Sequence, residues 1–190
     1  MKIYLYLYDY KNIVENPILN DIIKNHTNNY TNDIKRRISE SNYHFASKVL
    51  DSFGGDINTI RFVNNKPIVD DFYMSFSTSN DYFGFTISKL NNGFDLENII
   101  DEQRRDRIAK RILKNELYDN YNNSDNKGYY LTKMWTEFES AAKMEGNGLD
   151  YKFNHLNIIY KSIMIDNTIF TVCAKEEFEL EVYLNGILRS

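Results

Sequence analysis

The sequence predicts an α+β fold. Three features carry that expectation: short apolar runs bounded by Asn, Asp and Gly; helical stretches that twice precede a group of such runs; and 12 Phe with 15 Tyr against one Trp, residue types that favour strands. Lys2 to Tyr8 alternates aliphatic and aromatic side chains without a breaker and reads as a first strand. From Pro17 to Lys24, Ile18, Leu19, Ile22 and Ile23 recur at helical spacing, and an Asn-rich loop follows at Asn28 and Asn29. A second helix is predicted from Ile34 to Leu50, with Lys35-Arg36-Arg37 near its start and Gly54-Gly55 past its end. Strands follow at Ile60 to Val63, Tyr73 to Ser77 and Tyr82 to Ser88, with Asn64-Asn65, Lys66-Pro67 and Ser79-Asn80 as turns.

The order then repeats. Gly93 to Glu97 reads as a strand or strand end, and Asp101 to Leu117 as a charged helix with Ile108, Ile112 and Leu113 on its apolar face. Tyr118 to Tyr129 is polar and predicted as loop; Lys133 to Met144 is predicted helical and stopped by Gly146-Asn147-Gly148. Strands are expected near Asn157 to Met164, Thr168 to Cys173 and Phe178 to Tyr183. A repeated order of this kind predicts two similar αβ halves packed together.

Composition narrows the function classes. A chain of 190 residues with 42% apolar side chains supports one packed core and excludes a disordered chain. The formal net charge of −4 supplies no global positive field, so nucleic acid and anionic membranes are not the expected partners. With a single cysteine, Cys173, there is no intramolecular disulfide and no paired-cysteine zinc motif, and the expected compartment is reducing. Met1 to Asp9 has an apolar run too short for a signal peptide, no stretch approaches a membrane span, and a cytoplasmic monomer is the expectation.

Two segments carry candidate chemistry. In Gly93-Phe94-Asp95-Leu96-Glu97 the carboxylates stand at i and i+2, on one face of an extended segment, where hard oxygen donors suit Mg²⁺. An edge strand with a solvated acidic face explains the same pair. In Trp135-Thr136-Glu137-Phe138-Glu139-Ser140-Ala141-Ala142-Lys143, Glu139 and Lys143 share a helix face at i and i+4, with Trp135, Phe138, Ala141 and Ala142 as the opposite stripe. That pair is either an exposed ion pair, contributing about 0.3–0.5 kcal/mol, or a third carboxylate for the metal with a lysine facing phosphate. His26, His44 and His155 have no metal spacing and read as surface or capping residues; Cys173 reads as a buried small hydrophobe.

The order Lys66-Pro67, Ser75-Phe76-Ser77-Thr78-Ser79, Gly93-Phe94-Asp95-Leu96-Glu97, Trp135 to Lys143 and Gly146-Asn147-Gly148-Leu149 resembles the Sfp-type 4′-phosphopantetheinyl transferases, which carry a KP pair, a Ser-His-Ser turn, GxDxE, and WxxKExxxK followed by GxGL. The resemblance extends over nearly the whole chain. It implies the fold of that family, two pseudo-equivalent αβ halves, 1–86 and 87–190, with the ligand cleft between them, and an enzyme of the holo-carrier-protein synthase type. Such an enzyme moves the 4′-phosphopantetheine arm of coenzyme A, its co-substrate, onto a serine of an acyl or peptidyl carrier protein.

By the same resemblance Asp95, Glu97 and Glu139 hold Mg²⁺, Glu139 also takes the serine proton, and Lys143 serves the leaving oxygen. Lys66, Ser77, Thr78 and Ser79 bind the coenzyme, and basic residues of the 101–117 helix meet the carrier. Lys35-Arg36-Arg37 is a solvated helix face or a contact to the coenzyme's 3′-phosphate. Thr78 and Phe138 stand where the family has His and Lys, which implies a weaker hold on coenzyme A. The alternative is a catalytically impaired relative that binds a carrier protein without modifying it.

Overall fold

The computed structural model describes residues 1–146 and 157–189. Gly148, Leu149 and His155 lie outside the described residues. The chain is α+β, with strands in two sheets. β1 (Lys2–Asp9) leads to α1 (Asp21–Thr27) and α2 (Asp33–Ser52), then β2 (Arg61–Val63), β3 (Lys66–Val69), β4 (Phe72–Thr78) and β5 (Tyr82–Ser88). β6 (Asn92–Asn98) is followed by α3 (Glu102–Ile112), α4 (Glu116–Asn123) and α5 (Lys127–Glu145), then β7 (Ile159–Ile165), β8 (Thr168–Ala174), β9 (Glu179–Leu184) and β10 (Ile187–Arg189). Among the described residues no helix is long and apolar enough to cross a membrane.

One sheet has the order β10-β9-β1-β5-β4-β3-β2 and the other β6-β8-β7. Each contains the same motif: a strand, then helices, then an antiparallel hairpin whose second strand pairs antiparallel with the first. Alternation along β1 sends Ile3, Leu5 and Leu7 against Phe94 and Leu96 of β6 and Phe170 and Val172 of β8. The opposite face of the large sheet, with Tyr8, Met74, Phe83 and Phe85, is covered by Ile38, Tyr43, Ala46 and Leu50 of α2. On the outer face of the small sheet, Cys173 of β8 packs against Ala141 and Met144 of α5. Helices therefore sandwich two stacked sheets, and burial of these alternating faces is the main driving force.

Several elements depart from the sequence expectation. Position 86 lies inside β5, and the connection between the repeated motifs is 89–91. β9 and β10 join the first sheet, β9 running parallel to β1, so the strands do not divide between sheets at a single cut in the chain. Lys66-Pro67 is not a turn. The turn is Asn64-Asn65, both with positive φ, and β4 pairs only with Ile68 and Val69, which leaves Pro67 beyond the end of that ladder. Asn20 caps α1 by accepting from the Ile23 amide, so the helix starts four residues after Pro17 and Ile18 is left 94% exposed.

The charged helix ends at Ile112, where Leu113 turns extended to bury itself and Asn115 takes a positive φ. The expected loop 118–129 instead holds most of α4 and the start of α5. Leu117, Tyr118 and Tyr121 pack against Ala109, Ile112 and Leu131, and the Tyr121 hydroxyl donates to Asp106.

Candidate functional site

The site forms because α5 lies unusually close to β6. The face of α5 turned to the small sheet is made of Thr132, Thr136 and Ser140, all fully buried, with Ala141 and Met144. Trp135 and Phe138, expected on that stripe, are half-buried instead against the hydrophobic group of α3 and α4. The hydroxyls spend their polarity locally: Thr136 Oγ1 is 2.7 Å from Thr171 Oγ1, and Thr132 Oγ1 accepts from the Ile100 amide at 2.9 Å. Gly93 makes the approach possible, since a Cβ there would stand 1.8 Å from the Ser140 carbonyl oxygen and 2.8 Å from the Met144 nitrogen.

Alternation along β6 then decides which residues meet α5. Phe94 and Leu96 enter the inter-sheet core, so Gly93, Asp95 and Glu97 face the helix that carries Glu139 and Lys143. Lys143 Nζ donates to Asp95 Oδ1 at 2.6 Å and to Ser77 Oγ at 2.9 Å, while Ser77 Oγ donates to the same Asp95 oxygen at 2.8 Å. Burial, reinforced by Asp95, pushes the Glu97 carboxyl above its ordinary range. Burial and then Asp95 push Glu139 up too, with Glu97 adding to the rise and Lys143 opposing it. The carboxylates thus lie within electrostatic reach of one another and share one lysine.

Strand β4 supplies the second wall. Ser75 and Ser77 cap the open edge of β6: the Phe94 amide donates to Ser75 Oγ at 3.0 Å and the Leu96 amide to Ser77 Oγ at 3.3 Å. Lys66 of β3 is buried and donates to the carbonyls of Asn92 and Lys143, tying the start of β6 to the end of α5; burial lowers its ammonium to about 8.

Two cavities flank the cluster. One, of about 410 Å³, is lined by Lys66, Ser75, Phe76, His26, Tyr43 and Lys143; the other, of about 610 Å³, by Glu97, Asn98, Arg104, Arg107, Arg111 and Trp135. Lys143 opens on the first and Glu97 on the second.

The structure therefore brings together Lys66, Ser77, Asp95, Glu97, Glu139 and Lys143, drawn from four separate elements. It does not bring Thr78 to them. Thr78 is exposed on the opposite face of β4, where its hydroxyl is 3.1 Å from the Tyr10 hydroxyl, and the Ser79 carbonyl accepts from Tyr10 as well. A coenzyme contact by Thr78 would therefore lie apart from Asp95 and Lys143.

His26, expected as a surface or capping residue, is half-buried: it stacks on Phe62 at 4.3 Å, burial lowers its imidazole, and it lines the smaller cavity. Arg36 pairs with Asp33 at 2.9 Å and Arg37 with Glu15 at 3.2 Å, both exposed. Cys173 is fully buried, with its thiol pushed up to about 11 by burial.

The carboxylates of Asp95, Glu97 and Glu139, from a strand and a helix, are the donor type that a hard cation takes. Among the described residues no group of three or more His, Cys, Asp or Glu is arranged to hold a metal ion as it stands; Asp95 is engaged by Lys143. No protein-family model matches the chain, and no curated protein matches it significantly.

Proposed function

We propose that this chain is a Mg²⁺-dependent 4′-phosphopantetheinyl transferase acting on an acyl or peptidyl carrier protein. The observation that supports it is the convergence of Asp95 and Glu97 with Glu139 and Lys143 across the β6–α5 contact, beside a cavity walled by Lys66 and Lys143. The repeated strand–helix–hairpin motif supports the finer fold reading of two pseudo-equivalent halves with a cleft between them.

In this reading Asp95, Glu97 and Glu139 would hold Mg²⁺, which supplies charge neutralisation at the pyrophosphate. Coenzyme A occupies the smaller cavity, and Lys143 donates to the phosphate oxygens there. The carrier serine approaches from the side of Glu97 and Arg104. Its oxygen forms a bond to the phosphorus bearing the pantetheine arm, and its proton passes to Glu139. The bond to the bridging oxygen breaks, and adenosine 3′,5′-bisphosphate leaves with its charge met by Lys143.

Intact-mass analysis of a carrier protein incubated with this chain, coenzyme A and Mg²⁺ tests the reading: one phosphopantetheine adduct is expected, lost in Asp95→Ala and Glu139→Ala proteins that still fold. Near-normal transfer by Asp95→Ala in Mg²⁺ would refute the metal assignment. The non-catalytic reading, a carrier binder, is favoured by one observation: Phe138 packs in the α3 group where the family has a lysine. Carrier binding without an adduct would establish it.

A further inference from the structure

We infer that Ser77 is a positioning residue for Lys143: its hydroxyl fixes where the ammonium stands in the cavity wall, and it touches no ligand itself. A hydroxyl has one proton and two lone pairs. Ser77 spends all three inside the protein, since Oγ donates to Asp95 Oδ1 at 2.8 Å and accepts from Lys143 Nζ at 2.9 Å and from the Leu96 amide at 3.3 Å. It is buried and is not in the wall of either cavity beside the cluster, whereas Lys143 lines the 410 Å³ one. The sequence resemblance implies a coenzyme contact for Ser77, but its hydroxyl has no free proton or lone pair to make one.

Lys143 is held at both ends. Its carbonyl accepts from Lys66 at 3.4 Å, and its ammonium is shared between Asp95 and Ser77. Those two bonds use two of the three ammonium protons and leave one for the cavity. Asp95 alone would let the ammonium swing about one carboxylate oxygen. A second acceptor on β4, itself pinned to β6 by the Leu96 amide, fixes its direction. A lysine oriented in advance meets an anion without first giving up the rotamer freedom of a long side chain. That this anion is a coenzyme A phosphate rests on the function proposed above; the hold of Ser77 on Lys143 does not.

The experiment acetylates lysines in the full chain without coenzyme, using an N-hydroxysuccinimide ester at pH 8, and reads the rate at Lys143 by peptide mass analysis relative to exposed Lys35. Lys143, with its side chain 31% exposed, is within reach of the reagent. In Ser77→Ala it is expected to react about fivefold faster than in wild type. Ser75→Ala is the control: Ser75 also accepts a β6 amide, that of Phe94 at 3.0 Å, and among the described residues its hydroxyl bonds only to Phe94, so the Lys143 rate should hold. An unchanged rate in Ser77→Ala, or an equal rise in Ser75→Ala, would overturn the positioning role. Calorimetric titration with coenzyme A then closes a cycle over wild type, Ser77→Ala, Lys143→Met and the double variant. A loss of affinity in Ser77→Ala that disappears in the Lys143→Met background is expected; the same loss in both backgrounds would make Ser77 a ligand contact and overturn the inference. Absence of coenzyme binding by every protein, with the acetylation rates as expected, would refute the function proposed above and leave the role of Ser77 standing.

Discussion

Replacing Gly93 with alanine should separate β6 from α5 and disable the site without touching a polar group. The added Cβ would lie 1.8 Å from the Ser140 carbonyl oxygen and 2.8 Å from both the Ser140 carbonyl carbon and the Met144 nitrogen. These are backbone atoms of a helix interior, so no side-chain rotation relieves the clash. Contacts below 3.0 Å essentially do not occur, and α5 must retreat by roughly 1.2 Å at that point. Overpacking of this kind costs about 3 kcal/mol or more, against less than about 1 kcal/mol returned by alanine's lower unfolded-chain entropy.

The net loss expected in urea denaturation is therefore about 2 kcal/mol or more. Because Glu139 and Lys143 ride on the displaced helix, transfer should also fall about a hundredfold at temperatures where the variant is still folded. Gly55→Ala is the control, since its Cβ meets only the side-chain ends of Leu50 and Phe72 at 3.2 Å and beyond. A Gly93→Ala protein with the wild-type denaturation midpoint and slope would refute the close contact on which the site is built.

Lys66 should leave a signature in the pH dependence of stability. Its ammonium falls from an ordinary 10.5 to about 8 in the fold, so between those values the unfolded chain binds the proton that the folded chain has released, and stability rises with pH. From pH 7 to 10 the gain is roughly 2–3 kcal/mol in wild type relative to Lys66→Met, measured as the difference between their denaturation free energies; parallel curves would count against it. Neutralising Arg104 and Arg107 together, to Gln, should raise the KM for carrier protein and flatten its salt dependence while the KM for coenzyme A holds. Equal loss for both substrates would argue against a carrier role. Arg105 belongs in no such set, because it is half-buried and pairs with Glu102.

Most of the strands were legible, β1 from its alternation and the strands buried on both faces, such as β5 and β8, from apolar runs bounded by turn residues. β1, β4, β5, β6 and β8 fall close to where alternation or apolar runs put them. The failures have particular causes. Leu117, Tyr118 and Tyr121 have helical spacing, but the Asn and Asp around them are turn residues, and only their packing against α3 and α5 makes α4 helical. Nothing local in Glu179 to Leu184 says that it runs parallel to β1 rather than beside β8.

At the site, the i, i+2 and i, i+4 pairs were readable, whereas grouping Thr78 with Ser77 missed that β4 runs on through Thr78 and turns its side chain to the opposite face. Two things were not readable. Ser77 joins Lys143 across 66 residues of sequence, and His26 becomes a cavity wall through its stacking on Phe62; both are products of tertiary packing alone.

The position of β1 has a consequence for how the chain folds. It sits between β5 and β9, so the first strand is completed by one of the last, and Lys2 bonds to Glu181 across 179 residues. On the ribosome the emerging β1–β5 unit carries an open strand edge on Lys2 to Leu7 until β9 has left the exit tunnel. Contacts this distant in sequence slow folding and lengthen the time for which that edge is bare. An added peptide spanning β9 would compete for the edge during refolding, which makes the parallel β1–β9 seam the natural place to divide this protein into complementing fragments.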